Sequence, residues 1–165
     1  MKKVIWLVGL LFIYVSSSFA QVESTSAPLV ELPVGKDKLI FSDYRGKVIL
    51  LDFWASWCGP CRQSFPWMND VQARYADQGL VVIAVNLDQD KQGADEFLRD
   101  IPATFKIVYD PEGTSAEQMD VMGMPMSYLI DRDGILRHRL IGFNSRKKIQ
   151  HEDHIRALLD ETVRK

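Results

Sequence analysis

Cysteine is scarce in this chain: 165 residues include only two, Cys58 and Cys61. That excludes a fold stapled by several disulfides, and a bridge across two residues restrains the unfolded chain very little. An excess of basic charge is also missing, since 20 Lys and Arg against 22 Asp and Glu leave a net charge of −2. Without a basic stripe there is no footprint for nucleic acid or an anionic membrane surface, and Arg146-Lys147-Lys148 is too short to supply one. Internal repeats and low-complexity tracts are absent, and neither Gly nor Pro is enriched. The composition is that of one ordinary globular domain with enough length for a sizeable core. The one long apolar run outside candidate strands is Val4 to Val15, broken by Gly9 and Tyr14. It is short for a membrane span, which needs ~20 residues.

That run has a different use. Lys2 and Lys3 precede it, and Ser16-Ser17-Ser18-Phe19-Ala20 follows, placing small residues before a cut at Gln21. Positive start, apolar middle and small-residue end are the three parts of a secretory signal. Residues 1–20 are expected to be a cleaved export signal, with a retained N-terminal anchor as the alternative. Residues 21–35, polar with Pro28, Pro33 and Gly35, are expected to be a linker, and 36–165 a single domain. In an oxidising compartment a lone close-spaced cysteine pair reads as redox chemistry rather than as a staple.

The rest of the chain alternates strand and helix signals. Val48 to Trp54 is almost continuously apolar, as is Leu80 to Leu87, which predicts central strands buried on both faces. Residues 59–78 are expected to be helical, with Phe65, Met68, Val71 and Tyr75 on one face and Gly79 as the stop. A helix over Lys91 to Asp100, a strand over Phe105 to Tyr109 and a short helix over Thr114 to Met119 follow. A strand over Met126 to Asp131 turns at Asp133-Gly134 into a partner over Ile135 to Ile141. Ser145 is expected to cap a last helix, with Ile149, Ile155, Leu158 and Leu159 inward. This order predicts an α/β sandwich of three layers, a central mixed sheet ending in an antiparallel hairpin.

The two cysteines fall where the first buried strand gives way to the helix, in Trp54-Ala55-Ser56-Trp57-Cys58-Gly59-Pro60-Cys61. A sulfur that attacks must be a thiolate. Cys58 at a helix start meets unpaired N–H groups and the positive end of the macrodipole, and both favour the thiolate. Cys61 is one turn on, placed to form or resolve a disulfide with Cys58. Pro60 fits a first turn, which has no N–H bond to lose. The competing reading is half of a zinc site completed by His151 and His154, but these lie some ninety residues away on a helix face expected to be exposed. Asp52 also stands out. An acid inside an apolar strand is costly unless paired or neutral, so its pKa is expected to be raised.

The segment Phe53 to Arg62 resembles the active-site segment of thioredoxin, almost residue for residue. The export signal, the stretch 88–110 and Leu129-Ile130-Asp131-Arg132-Asp133-Gly134 resemble the exported TlpA/ResA-type branch of thiol–disulfide oxidoreductases. The resemblance covers residue 35 onward. It implies the thioredoxin-like fold and dithiol–disulfide exchange with protein substrates, using no cofactor beyond the Cys58–Cys61 pair. Pro125 matches the family's cis-proline, which presents backbone to substrate, with Met124 before it at a position where relatives vary. Pro66 matches the helix-kinking proline. Asp52 matches the buried carboxylate that relays a proton to the second cysteine. The branch's glutamate three residues after the second cysteine is replaced by Ser64, so proton handling is expected to follow thioredoxin rather than that branch. The Gly59-Pro60 pair implies a reductant, recharged by a membrane reductase, and the protein is expected to be a monomer. Peroxidase chemistry of the related peroxiredoxins is not expected, because the Pro/Thr framework before their cysteine is missing.

Three further features have competing readings. Trp57 either frames the substrate groove or packs. Met119, Met122, Met124 and Met126 are core filling, a pliable docking rim, or soft ligands that would make the protein a Cu(I) carrier together with Cys58 and Cys61. The acidic run Asp88 to Asp90, with Asp95 and Glu96, is expected to be a solvated face.

Overall fold

The computed structural model describes residues 29–161. The expected export signal lies outside them. Within them, part of the stretch read as a linker is ordered: β1 (Glu31–Val34) pairs antiparallel with β2 (Asp37–Ile40). Gly35 makes the turn at φ +59°, and its N–H donates to the buried Asp110 carboxylate at 3.1 Å. The alternation is only four residues long and interrupted by Pro33, so it resembles loop. Leu32, Val34 and Leu39 nevertheless bury themselves on the sheet, and Phe41 follows them in a single 3-10 turn.

The main sheet has five strands in the order β5-β4-β3-β6-β7. β3 (Val48–Trp54) lies at its centre, parallel to β4 (Leu80–Asn86) and antiparallel to β6 (Met126–Ile130). β5 (Lys106–Tyr109) and β7 (Leu136–Ile141) form the edges. Every residue of β3 is buried, as a strand covered on both faces must be. Side chains alternate across the sheet. Val48, Leu50 and Trp54 face the buried residues of α1 (Cys61–Tyr75), α2 (Lys91–Asp100) and α4 (Ser145–Asp160). Ile49, Leu51 and Phe53 face the hairpin, Phe41, and Met119 at the end of α3 (Thr114–Gln118). The result is the expected three-layered, thioredoxin-like sandwich with β6 and β7 as its antiparallel hairpin. Among the described residues no helix is long and apolar enough to cross a membrane.

The helix boundaries differ from expectation at both ends of α1. It begins at Cys61, with Pro60 in the capping position, and ends at Tyr75. Gly79 is not its stop. It sits at φ +101° in the turn into β4, where its carbonyl accepts from Val48 N at 3.0 Å. α4 is capped by Asn144 rather than Ser145: the Asn144 side chain accepts from Arg146 N and Lys147 N. Within α4, Ile149 is 67% exposed while His151 is buried, the reverse of the expected placement.

Candidate active site

Cys58 and Cys61 are joined in a disulfide with their Cα atoms 5.3 Å apart. Residues 55–60 form two successive turns between β3 and α1. Cys58 N donates to Ala55 O at 3.1 Å and Cys61 N to Cys58 O at 3.1 Å. Cys58 therefore precedes the helix by a turn rather than opening it. The expected contact with the helix start survives in another form, because Cys61 N also reaches Cys58 Sγ at 3.3 Å. An N–H aimed at that sulfur lowers the cost of a negative charge on it once the pair is reduced. Cys58 keeps a trace of solvent exposure and Cys61 has none, so an incoming group meets Cys58 first.

Asp52 is buried and shares the face of β3 that carries Leu50 and Trp54, beneath the helix that begins with Cys61. Its register partner on β6 is Ser127, whose hydroxyl donates to Asp52 Oδ1 at 2.6 Å. Among the described residues Asp52 Oδ2 has no hydrogen-bond partner. Burial raises the carboxyl from 3.8 to about 7, and the Ser127 bond offsets this only in part. Ser127 escaped notice in the sequence because a serine in an apolar strand carries no charge to flag it.

Met124–Pro125 is a cis peptide. Pro125 O accepts from Gly142 N at 2.8 Å, tying the loop to the end of β7. Met124 packs at the edge of the core layer that contains both cysteines. Trp57 is 72% exposed and forms one wall of a recess of about 430 Å³ shared with Ser56, Asp88 and Gly93. Trp54 is fully buried against Phe65 and Phe97. Pro66 lies inside α1, and Ser64 Oγ donates to Cys61 O at 3.1 Å, a purely local bond.

Two readings fail. Of the four methionines only Met124 packs with the layer that holds the cysteines: Met119 and Met126 are buried under the opposite face of the sheet, and Met122 is 80% exposed. Strand alternation sends Met126 away from the face of Ser127, so the copper-carrier reading loses its ligand set. The zinc reading also lacks support, since among the described residues no group of His, Cys, Asp or Glu is arranged to hold a metal ion. His151 is buried beside Trp67 and Phe143, and His154 stacks on His138. The acidic run is not uniformly solvated either. Asp88 is buried and accepts from Ser56 N at 2.9 Å, Ser56 Oγ at 2.8 Å and Asn86 Nδ2 at 2.7 Å. Its position just beyond the C-terminal end of β4, beside the strand that leads to the cysteines, is where α/β sheets place their sites, and that was the available signal.

Comparison with known proteins agrees with this geometry. The model of the AhpC/TSA family matches residues 24–139. The thiol-disulfide oxidoreductase ResA of Geobacillus kaustophilus is 33% identical over 71% of this chain, and the chain spans 66% of that relative's length. The thioredoxin-like protein YneN of Bacillus subtilis is 32% identical, covering 89% of this chain and 95% of its own. Among solved structures, one described as a thiol:disulfide interchange protein DsbE from Chlorobium tepidum is 47% identical, with a TM-score of 0.73, covering 81% of this chain and 94% of that one.

Proposed function

Because this chain belongs to the AhpC/TSA family, we propose that it is an exported thiol–disulfide oxidoreductase that reduces protein disulfides through Cys58 and Cys61. The observation that carries the reading is the Cys58–Cys61 disulfide at the end of the strand that carries a buried, half-bonded Asp52. In the reduced protein the Cys58 thiolate attacks a substrate disulfide. One substrate sulfur leaves as a thiolate and Cys58 Sγ is left in a mixed disulfide. The Cys61 thiol gives its proton to Asp52, directly or through water, and its sulfur attacks Cys58 Sγ. The second substrate thiolate leaves. The substrate has gained two electrons, and the enzyme ends as the disulfide described above. Pro125, at the position of the family's cis-proline, and Met124 before it would present backbone and side chain to the substrate, and the exposed Trp57 indole would border that surface.

The oxidised pair must be reduced again, and an exported protein working alone fits recharging by a membrane dithiol reductase. The Gly59-Pro60 pair supports a reduction potential closer to the ~−270 mV of thioredoxin than to the ~−120 mV of a strong oxidant. Two variants test the division of labour. Cys61→Ser should accumulate mixed disulfides with substrate proteins, visible as thiol-sensitive adducts by mass spectrometry, while Cys58→Ser should form none. Adducts of equal yield in both variants would remove Cys58 from the attacking role.

A further inference from the structure

We propose that Asp88 is a positioning residue for Cys58, acting through Ser56. The six residues between β3 and α1 make turn bonds among themselves and to the helix that follows. Among the described residues, the only hydrogen bonds that tie 55–60 to the rest of the fold are the two from Ser56 to Asp88. Backbone and side chain of Ser56 grip one carboxylate, so the residue two before the attacking sulfur is fixed in both place and orientation.

The clamp is itself anchored. Asn86 ends β4, donates from Nδ2 to Asp88 Oδ2, and accepts from Asp88 N at 3.2 Å. Its carbonyl takes Asp110 N at 2.8 Å, which ties β4 to the end of β5. Gly93 in α2 closes the other side: a Cβ there would stand 2.7 Å from Ser56 Oγ and 3.4 Å from Ser56 Cβ. Side chains after β4 and a bare backbone on α2 thus shape one slot around Ser56. Asp88 forms no ion pair in the described residues and is satisfied by neutral donors alone. A buried carboxylate bound in this way is costly, but it accepts three bonds at once, whereas an amide in its place offers a single acceptor oxygen.

This inference adds to the proposed exchange reaction a residue that touches neither substrate nor sulfur. Its test does not require that reaction. The reduced protein is treated with iodoacetamide across pH, and alkylation of Cys58 is followed by mass spectrometry, giving a rate constant and a thiolate pKa. Asp88→Asn is expected to change the Cys58 rate constant by about tenfold, the scale set by losing a bond to a charged acceptor. Gly93→Ala leaves the Asp88 charge in place and displaces Ser56, and is expected to shift the Cys58 profile as well. Ser56→Ala, the mildest change, should shift it less, and Ser56→Thr, which keeps the hydroxyl, should lie closer to the parent than Ser56→Ala. A Cys58 profile identical to the parent's in folded Ser56→Ala and Gly93→Ala proteins, with only the melting temperature lowered, would overturn the proposal. Failure of the parent to reduce any protein disulfide would sink the exchange reading and leave this result standing.

Discussion

In the oxidised protein Asp52 has one oxygen bonded to Ser127 and one with no partner among the described residues, and burial lifts its carboxyl to about 7. A base works best near its own pKa. The Cys61 step should therefore accelerate as pH rises through about 7, because only then can Asp52 take the proton. The attack by Cys58 should follow a different profile, set by its own thiolate. Asp52→Asn is expected to slow resolution of a preformed mixed disulfide by roughly a hundredfold, the lower range for a removed general base, and to erase the rise near pH 7. Acid-quenched kinetics of the isolated mixed disulfide measure this. A resolution rate with the same pH profile in both proteins would take Asp52 out of the proton path. Asp52 was legible in the sequence because an acid in an apolar strand is an anomaly that demands a partner. Asp88 was not, because three polar residues after a strand look like any loop. Only the folded chain brings Ser56 to Asp88 across 32 positions.

Elements were legible where the pattern was long and apolar, and less so where an end or an angle decided. β3 and α2 fall on the residues expected for them. The inward face of α4 shows why reading residue types alone fails. At about 100° per residue, position 151 lies near Ile155, whereas position 149 points to the other side. Angle wins over side-chain type, so His151 is buried and Ile149 is exposed. The same helix offers a test of its cap. Asn144 accepts two N–H bonds of the first turn, so Asn144→Ala should cost about 1 kcal/mol. Ser145→Ala should cost only a few tenths, since Ser145 occupies the first helical position and makes no cap bond. Urea denaturation of the two variants distinguishes them. Equal losses would mean that the helix start is held by something other than Asn144.

Across the whole molecule, two buried groups pull the pH dependence of stability in opposite directions. Asp52 holds its proton up to about pH 7 in the folded state and releases it on unfolding above ~3.9. Its contribution is fully present in acid and is lost as pH rises towards 7. His151 is the reverse: burial first, then Lys147 and His154, lower it from 6.5 to about 4. It stays neutral when folded and takes a proton on unfolding, so its contribution is lost as pH falls from 6.5 towards 4. Between about pH 4.5 and 6 Asp52 gives up a proton on unfolding while His151 takes one, so these two offset each other, and half-buried His138, also lowered by burial, His154 and Arg137, adds a smaller loss towards acid. Glu152, held down to about 2 by Arg74, acts mainly below this window. The parent protein should therefore show only a shallow rise in stability from pH 4.5 to 6. Asp52→Asn unmasks His151, and its stability should rise with pH across the window. His151→Leu unmasks Asp52, and its stability should fall. Each slope is at most about 1.4 kcal/mol per pH unit. Denaturant midpoints at three pH values decide it. Slopes of the same sign in the two variants would mean that Asp52 and His151 do not oppose each other.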